Sequence, residues 1–302
     1  MGQIPLFDEL GHLIWTDREE FRHHVIPENI KADWDNAQNL YSFVVQLYKD
    51  GFLEEAEQGA DRLLELSNRE EEALLLKVLV LMKKEENEQA QELLQECIDR
   101  FPERGVAHTY LARLYAHRSQ REQVIAHLQE GLKKEPNQET GLRMLSEWMG
   151  DSEKVIAFLT MLTEQEEAWW PSLELGRLFL LEGRSEEALE QFSQAMIRTR
   201  AYREDPEGLP EWEEEVAAMT ASALLRKEGR FSEVLRFCEQ FWTPAYVTPF
   251  HGLDYAHTLD ESGQTQKAVE VLSRMLEYLD PEYTNVVSMR IEQFKGKALS
   301  KT

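Results

Sequence analysis

The cysteines and one histidine pair are the first candidates in this sequence for metal binding or nucleophilic chemistry, and their spacing suits neither. Cys97 and Cys238 lie far apart and outside any CxxC or zinc-ribbon spacing, so we interpret both as small buried thiols. His23 and His24 are adjacent, but neighbouring side chains on a helix point about 100° apart and do not readily chelate one ion. We therefore expect no metal site at this pair.

The other residues with catalytic potential also lack the arrangement that a reaction needs. His108, His117 and His127 are spread over two predicted helices, where packed or solvated histidines are the simplest interpretation. The sequence contains no phosphate-binding glycine loop, nucleophile elbow or HExxH motif, and its glutamate runs suit solvated helix faces. We expect a protein that is not an enzyme and that binds no cofactor.

Composition narrows the classes of partner. The 302 residues carry a formal net charge of −24, with 57 acidic against 33 basic side chains. Such a charge repels phosphate backbones and anionic lipid, so we expect neither nucleic-acid nor membrane binding. The strongly apolar runs are far shorter than the ~20 residues of a membrane helix, and the N-terminus does not resemble a signal peptide. Together with the low cysteine content, these features predict a cytoplasmic protein.

A periodic pattern of small side chains organises most of the chain. In LGRLFLLEGRSEEALEQFSQA (residues 175–195), Gly176, Ala188 and Ala195 alternate with large apolar residues. The small residue that opens the second half of this pattern recurs 34, 34, 31, 33, 46 and 34 residues apart, at Ala56, Ala90, Val124, Val155, Ala188, Val234 and Ala268. Apolar spacings of 3, 4 and 7 indicate two amphipathic helices per copy. A short turn makes the two helices antiparallel, and we expect Gly176 to meet Ala188 where they cross.

This pattern resembles the tetratricopeptide repeat family over about residues 37 to 282. The resemblance implies paired antiparallel helices that stack into an all-α, right-handed α-solenoid of about seven helix pairs. The predicted repeats are residues 37–70, 71–104, 105–138, 139–168, 169–202, 215–248 and 249–282. The fourth repeat is about one helical turn short.

The two ends of the chain lie outside the repeats, and we expect them to cap the array. Residues 1–36 are predicted to form an N-terminal cap segment, with a short hairpin followed by a short helix. A capping box of Thr16 and Glu19 is expected to start this helix, which ends before Pro27. Residues 283–302 are predicted to form a C-terminal capping helix that covers the apolar face of the last repeat.

Twelve extra residues separate the fifth and sixth predicted repeats and contain helix-breaking proline and glycine. The segment around them is locally basic within an acidic protein. A partner-binding protrusion is one interpretation, and a solvated loop or a lengthened helix is the other. Its candidate binding residues are Arg198, Arg200, Tyr202 and Arg203.

In the resembled family, positions 2, 5, 9 and 12 of each first helix face the ligand from the concave surface, and this implies a set of groove residues here. The candidates are Tyr41, Val45, Tyr48, Leu75, Leu79, Met82, Thr109, Arg113, Arg143, Trp170, Leu173, Arg177, Arg226 and His257. The N-terminal third of this stripe is apolar and aromatic, and its middle carries Arg113, Arg143 and Arg177. Guanidinium groups at such positions suit a carboxylate or another acidic group.

These features predict a non-enzymatic protein-interaction scaffold whose groove binds a peptide or protein segment with an apolar anchor and an acidic group. Two alternatives stay open: the N-terminal segment or a second copy of the chain covers the apolar third, and the arginines pair with glutamates of this chain. The runner-up function is a self-associating structural protein that builds a homo-oligomer. The chaperone-tail clamp of some family members uses Lys and Asn where this sequence has Tyr41 and Val45, so we do not expect that activity.

Overall fold

A computed structural model describes the protein at residues 3–7, 13–66, 70–201 and 208–300. The chain divides into two compact units, Met1–Lys134 (unit 1) and Glu135–Thr302 (unit 2). Both are built from α-helices, as predicted, and unit 1 also contains one two-stranded hairpin. No helix within the described ranges is long and apolar enough to cross a bilayer.

Unit 1 consists of an antiparallel hairpin, a short helical segment and three helix pairs. Ile4 of the first strand lies opposite Thr16 of the second. In chain order the elements are β1 (Gln3–Phe7), β2 (Leu13–Asp17), α1 (Arg18–Glu20), a π-helical turn (Phe21–Val25), α2 (Ile26–Asp33), α3 (Ala37–Asp50), α4 (Leu53–Leu66), α5 (Glu70–Lys83), α6 (Asn87–Arg100), α7 (Val106–His117) and α8 (Arg121–Lys134). The pairs α3–α4, α5–α6 and α7–α8 pack as neighbours, and each pair also contacts the next.

Unit 2 continues with four helix pairs and a final helix. Its elements are α9 (Glu139–Met149), α10 (Ser152–Leu162), α11 (Trp170–Leu181), α12 (Ser185–Ala201), α13 (Trp212–Lys227), α14 (Phe231–Phe241), α15 (Phe250–Glu261), α16 (Thr265–Met275), a 3-10 turn (Pro281–Tyr283) and α17 (Thr284–Ser300). Consecutive helices pack against each other, and first helices of successive pairs, such as α13 and α15, also lie in contact.

The first helix begins one residue later than the predicted capping box of Thr16 and Glu19. Asp17 is the N-cap, and its side chain accepts a hydrogen bond of 2.8 Å from the backbone N–H of Glu20. Thr16 Oγ1 instead donates to the Glu20 carboxylate at 3.0 Å. The predicted cap was therefore wrong by one residue, because aspartate caps a helix at least as well as threonine does.

The helix also continues past Pro27, contrary to the expectation from sequence. The backbone widens into the π turn, where the N–H of Ile26 donates to the carbonyl of Phe21 five residues earlier. It then continues as α2 to Asp33. Proline lacks a backbone donor and crowds the carbonyl four residues before it, and a wider turn directly upstream accommodates both constraints.

Every helix pair turns at a residue in the left-handed conformation. Five of these residues are glycines, and the other two are Glu85 (φ 64°) and Ser119 (φ 56°). In order they are Gly51, Glu85, Ser119, Gly150, Gly183, Gly229 and Gly263, which are 34, 34, 31, 33, 46 and 34 residues apart. These spacings equal those of the small residues, so each turn lies five residues before the small side chain that opens the second half of the pattern.

The small residues identified in the sequence are buried. None of the seven that open the second half of the pattern has more than 2% of its surface exposed. The three atoms nearest to a Cβ built on Gly176 all belong to Phe192, with Cε1 at 2.3 Å, and the expected pairing of Gly176 with Ala188 stays a prediction. The ring of Phe192 occupies the space that a larger residue at position 176 would need.

The inserted residues between the fifth and sixth pairs lengthen the helices on both sides. α12 has 17 residues and α13 has 16, against 14 in α3 and in α5. Residues 202–207 lie outside the described residues.

The last helix covers the final helix pair. α17 packs against α16 and buries Val287, Ile291 and Phe294, which recur at spacings of 4 and 3 residues along one helix face.

Candidate partner-binding faces

Three tyrosines come together on first helices of unit 1. Tyr41 and Tyr48 of α3 are partly buried and pack on one hydrophobic cluster, and Tyr110 of α7 packs on the next. Burial raises the pKa of Tyr110, and the nearby Tyr48 and Tyr41 hydroxyls raise it further, against the opposing effect of Arg113. The first and third helix pairs therefore bring three phenol groups and one guanidinium within electrostatic reach of each other.

Apolar side chains accompany these tyrosines. Leu75, Leu79 and Met82 of α5 keep part of their surface exposed, as does Val45 of α3. α3 and α5 are in contact, so these side chains continue the surface that the tyrosines begin. We define the unit-1 face as Tyr41, Val45, Tyr48, Leu75, Leu79, Met82, Tyr110 and Arg113.

Two cations lie against the aromatic rings of this face. The guanidinium of Arg113 lies 5.5 Å from the centroid of the Tyr110 ring and has no ion pair within the described residues. Lys83 Nζ lies 4.5 Å from the Tyr48 ring centroid and donates a 2.6 Å hydrogen bond to the Tyr48 carbonyl. The positive charge of Arg113 is therefore held by an aromatic ring and not by a carboxylate.

Two of the predicted groove residues are not on the surface. Thr109 is 5% exposed and Leu173 is 1% exposed, so neither offers a contact area to a partner. Trp170 is partly buried and stacks on Trp169 with ring centroids 4.9 Å apart. Helix packing takes these positions because the apolar stripe of an amphipathic helix is wider than one row of residues.

Two of the predicted groove arginines in unit 2 are neutralised by one buried glutamate. Glu174, 6% exposed, accepts two hydrogen bonds from Arg177, at 2.7 Å from Nε and 2.5 Å from Nη2. Arg143 Nε lies 3.8 Å from the same carboxylate, with Glu139 at 3.7 Å from its Nη2. The Ser146 hydroxyl donates to Glu174 at 2.7 Å. Arg143 and Arg177 therefore both pair with glutamates of this chain, which is one of the alternatives left open by the sequence.

A similar arrangement recurs at Arg226. Its Nε lies 3.5 Å from the Asp254 carboxylate, and its Nη1 donates to Thr258 at 2.9 Å and lies 3.3 Å from Glu261. The Ser222 hydroxyl donates to Asp254 at 3.1 Å, as Ser146 does to Glu174. Burial raises the pKa of Asp254, although Ser222 and Arg226 both favour its ionised form. A serine, an acid with little exposed surface and an arginine thus repeat between successive first helices.

An open groove of about 610 Å³ lies between α13 and α15. We define the unit-2 groove as Met219, Ala223, Leu224, Phe250, Leu253 and His257. Phe250 is 50% exposed. Burial lowers the pKa of His257, and Arg290 and Arg226 lower it further, against the opposing effects of Glu261 and Asp260. The lining of the groove is therefore mainly apolar, and Thr220, Lys227 and Asp254 are its other polar residues.

The arginines predicted to lie on a protruding loop are held inside the fold. Arg198 donates to the carbonyls of Thr163, Gln165 and Ala168, the latter two at 3.1 and 2.7 Å. Arg200 donates to Glu214 at 2.9 Å and to the carbonyl of Phe241 at 3.0 Å. Both guanidinium groups therefore bind oxygen atoms of this chain, and their role in binding a partner stays a prediction. The other two candidates, Tyr202 and Arg203, lie outside the described residues.

Two of the dispersed histidines of unit 1 form a pair that sequence reasoning missed. Nδ1 of His108 lies 3.1 Å from Nδ1 of His127, between α7 and α8. The ring of Tyr115 stacks on His127 with centroids 5.2 Å apart. Burial lowers the pKa of both histidines, and their mutual repulsion lowers that of His108 further. A spacing of 19 residues in a helical hairpin is the signal that could have indicated this pair.

Comparison with known proteins agrees with this architecture. The family model for the tetratricopeptide repeat matches residues 81–147. Yeast Tom70 has a similar solved structure, with 10% identity, a TM-score of 0.50, and coverage of 93% of this chain and 60% of that chain. The chain therefore spans about 60% of the length of Tom70 as crystallised. No curated protein sequence matches significantly.

Two further solved structures are less similar overall. A tetratricopeptide repeat protein from Parabacteroides merdae has 11% identity and a TM-score of 0.38, and covers 86% of this chain and 98% of its own. YrrB, described as a tetratricopeptide-repeat protein with an unusual peptide-binding site, has 18% identity and a TM-score of 0.35, with coverage of 59% and 94%. The family match and the repeated helix pairs agree with the tetratricopeptide-repeat architecture that the sequence pattern predicts.

Proposed function

We propose that the protein is a non-enzymatic interaction scaffold that binds a peptide or protein segment on the unit-1 face, through an apolar anchor and an acidic group. The observation that carries this proposal is that Arg113, unlike the other predicted groove arginines, has no ion pair within the described residues. Arg143, Arg177 and Arg226 each lie beside carboxylates of the chain, whereas Arg113 lies beside the Tyr110 ring and has no ion pair among the residues that the structure describes. A guanidinium without an ion pair offers its full hydrogen-bonding fork to an incoming carboxylate.

The surroundings of Arg113 suit an apolar anchor. Tyrosine rings supply large contact areas with few rotatable bonds, so little conformational entropy is lost when a partner binds. Leu75, Leu79 and Met82 extend this area with side chains that are already half-buried. Covering them removes apolar surface from water, at roughly 25 cal/mol per Å².

The proposal includes a location in a reducing compartment, the cytoplasm. Cys97 and Cys238 are both free and buried. Burial raises the pKa of the Cys97 thiol to about 11 and that of Cys238 well above its usual range. Both therefore stay protonated and unreactive at neutral pH.

The test is selection of a random peptide library on the full-length protein, followed by titration of the enriched peptides by fluorescence polarisation. Three proteins are compared: the unmodified chain, Arg113→Glu, and Arg118→Glu as a control with the same charge change. Arg118 is exposed just beyond the end of α7, where it donates to Gln91 at 2.8 Å.

We expect enriched peptides to contain an acidic residue near an apolar one, and to bind Arg113→Glu roughly tenfold or more weakly, a change of ~1.4 kcal/mol. Arg118→Glu should bind them like the unmodified chain. Equal binding to Arg113→Glu and Arg118→Glu would refute the site. A molecular mass that rises with concentration for the unmodified chain but not for Arg113→Glu would instead assign this face to a second copy.

A further inference from the structure

We propose that the outer face of α17 binds a second copy of this chain, so that two copies pair in parallel through their last helices. We define the α17 seam as Val286, Met289, Gln293 and Gly296, which are all exposed on α17. The seam lies on the helix that follows the last helix pair, and it shares no residue with the unit-1 face.

The α17 seam carries the exposed apolar surface of a helix that is apolar on two sides. Met289 is 65% exposed, the largest value among the large apolar side chains of the described ranges, and Val286 is 54% exposed. On its other side, α17 already buries Val287, Ile291 and Phe294. A helix at the surface of a protein normally presents polar residues to water, so a second apolar side indicates a second contact.

The spacing of the seam residues is typical of helices that pair along their length. The four residues are 3, 4 and 3 positions apart, which is the pattern of the contact positions in two heptads, and none of them is charged. At 100° per residue, their side chains lie within an arc of about 80° on the helix surface. The seam is therefore one continuous uncharged stripe.

Gly296 leaves space for the close approach of another helix. At Gly59, Gly176 and Gly252, which also lie inside helices, a Cβ would overlap a side chain of the neighbouring helix. A Cβ at Gly296 would meet no atom within 4 Å. Glycine is less favourable than alanine inside a helix, and the packing of the described chain gives no reason for glycine at this position. A second helix beside Gly296 would supply the contact that the other three glycines have.

The side chains beside the seam complement a second copy that runs in the same direction. Asn285 and Glu292 lie on one flank of the seam, and Arg290 and Lys297 lie on the other flank. In a parallel pair, a residue on the first flank lies beside the residue five positions later on the second flank of the other helix. Glu292 then meets Lys297 of the second copy, and the two-fold symmetry produces this contact twice. An antiparallel pair would place each flank beside its own like charges.

The net charge of the chain does not prevent this pairing. α17 carries three basic residues and one acidic residue, although the whole chain has a net charge of −24. Charges more than about 8 Å apart are largely screened at physiological ionic strength, so acids elsewhere oppose the contact only weakly. Glu292 and Lys297 also form ion pairs within the chain, but 72% and 57% of their side-chain surfaces stay exposed. Both can therefore contact the second copy as well.

The size of the seam predicts a weak dimer. From Val286 to Gly296 it extends about 15 Å along the helix, so its area is below the roughly 800 Å² per partner of a standard interface. We expect a dissociation constant of roughly 10–100 μM. Such a dimer carries two unit-1 faces, which favours a partner with two binding segments.

The test is sedimentation equilibrium of the full-length chain, from about 1 to about 300 μM at physiological ionic strength. Met289→Glu places a charge in the seam. Leu181→Glu is the matched control, because Leu181 is 62% exposed on α11 and its replacement makes the same charge change. Asn285→Glu and Asn285→Lys change the flank that meets Arg290 of the second copy.

We expect Met289→Glu to raise the dissociation constant roughly tenfold or more and Leu181→Glu to leave it unchanged. Asn285→Glu should lower the dissociation constant roughly threefold, because its carboxylate meets Arg290 of the second copy, and Asn285→Lys should raise it by a similar factor. Helical circular dichroism of each variant checks that the monomer is folded.

Three results would overturn the inference. The first is an unmodified chain that stays monomeric over the whole concentration range, and the second is equal association of Met289→Glu and Leu181→Glu. The third is weaker association of Asn285→Glu than of Asn285→Lys, which contradicts a parallel pair.

The dimer and the proposed function are tested separately. Arg113→Glu should dimerise like the unmodified chain, because Arg113 lies outside the α17 seam. Failure of peptide binding on the unit-1 face therefore leaves the dimer intact, and absence of a dimer leaves the peptide result intact. A dimer that is lost in Arg113→Glu but kept in Met289→Glu would assign the contact to the unit-1 face and refute the seam.

Discussion

Replacing Gly176 by alanine tests the steric basis of the fold with the smallest possible change. A Cβ at this position would lie 2.3 Å from Cε1 and 2.6 Å from Cδ1 of Phe192. Carbon atoms in contact are normally about 3.5–4.0 Å apart, so the ring must move by more than 1 Å. Phe192 has no exposed surface, and the core around it leaves no free direction for that movement.

The expected effect combines two opposing contributions. Alanine is about 1 kcal/mol more favourable than glycine inside a helix. Overpacking a dense core costs about 1–3 kcal/mol, and the depth of this overlap places Gly176→Ala towards the upper end. We therefore expect a net loss of about 1–2 kcal/mol in the free energy of unfolding.

Gly296 provides the control. It also lies inside a helix, but a Cβ there would meet no atom within 4 Å. Gly296→Ala should therefore show the helix contribution alone and gain about 1 kcal/mol. The two variants make the same chemical change and are expected to differ by about 2–3 kcal/mol.

The measurement is urea unfolding of the full-length chain, followed by helical circular dichroism. Phe192→Leu, which removes the ring, is measured alone and together with Gly176→Ala. If the overlap is the cause, the alanine should cost less in the Phe192→Leu background, with a coupling energy of about 1 kcal/mol or more. Equal stability of Gly176→Ala and Gly296→Ala, or additive effects of Gly176→Ala and Phe192→Leu, would show that this contact does not limit the residue at 176.

Two other predictions follow from buried polar groups. Glu174→Ala should lower the free energy of unfolding by about 3 kcal/mol, because it leaves the Arg177 guanidinium, which is 18% exposed, without its carboxylate partner. The control Glu182→Ala removes an exposed carboxylate and should change the free energy of unfolding by no more than about 0.5 kcal/mol. Equal urea midpoints for the two variants would show that the Glu174–Arg177 pair contributes nothing to stability. Burial lowers the pKa of His108 and His127, so the folded state binds fewer protons than the unfolded state at mildly acidic pH. The stability that these two histidines contribute is therefore complete above pH ~6.5, the ordinary pKa of histidine, and is lost as the pH falls below that value. The urea midpoint should therefore drop between pH 7.5 and 5.5 by more in the unmodified protein than in His127→Gln, and parallel curves would exclude the histidine pair as the cause.

The repeat was readable from sequence because it depends on local chemistry. Small side chains five residues after each turn, at Ala56 and Ala268 for example, reflect a steric requirement that recurs in every helix pair. Only the turns at Glu85 and Ser119 have no glycine, and these two residues adopt the left-handed conformation at an energetic cost of roughly 1–2 kcal/mol each. Helix periodicity and turn spacing compensated for the missing glycines.

The candidate site was harder to predict from the sequence than the repeat, because whether a charged side chain is paired depends on residues distant in the chain. Glu174 neutralises Arg143 from 31 positions away, and no local pattern marks it as different from the many solvated glutamates. Arg198 likewise looked like part of a basic loop, yet its acceptors are carbonyls about 30 residues earlier. Position within a repeat indicated which side chains share a surface, but it did not indicate which of them were already paired.

Contacts in this protein run mainly between helices that are neighbours along the chain, as from α3 through to α8 in unit 1. Contact order is therefore low, so folding can start in any hairpin and spread outward, without first closing a long loop. Amide hydrogen exchange should then proceed through a series of partial openings, slowest in central helices and fastest at the ends of the array, and not through one global event. A single core substitution should accordingly lower the local stability of its own helix pair and of the two neighbouring pairs only.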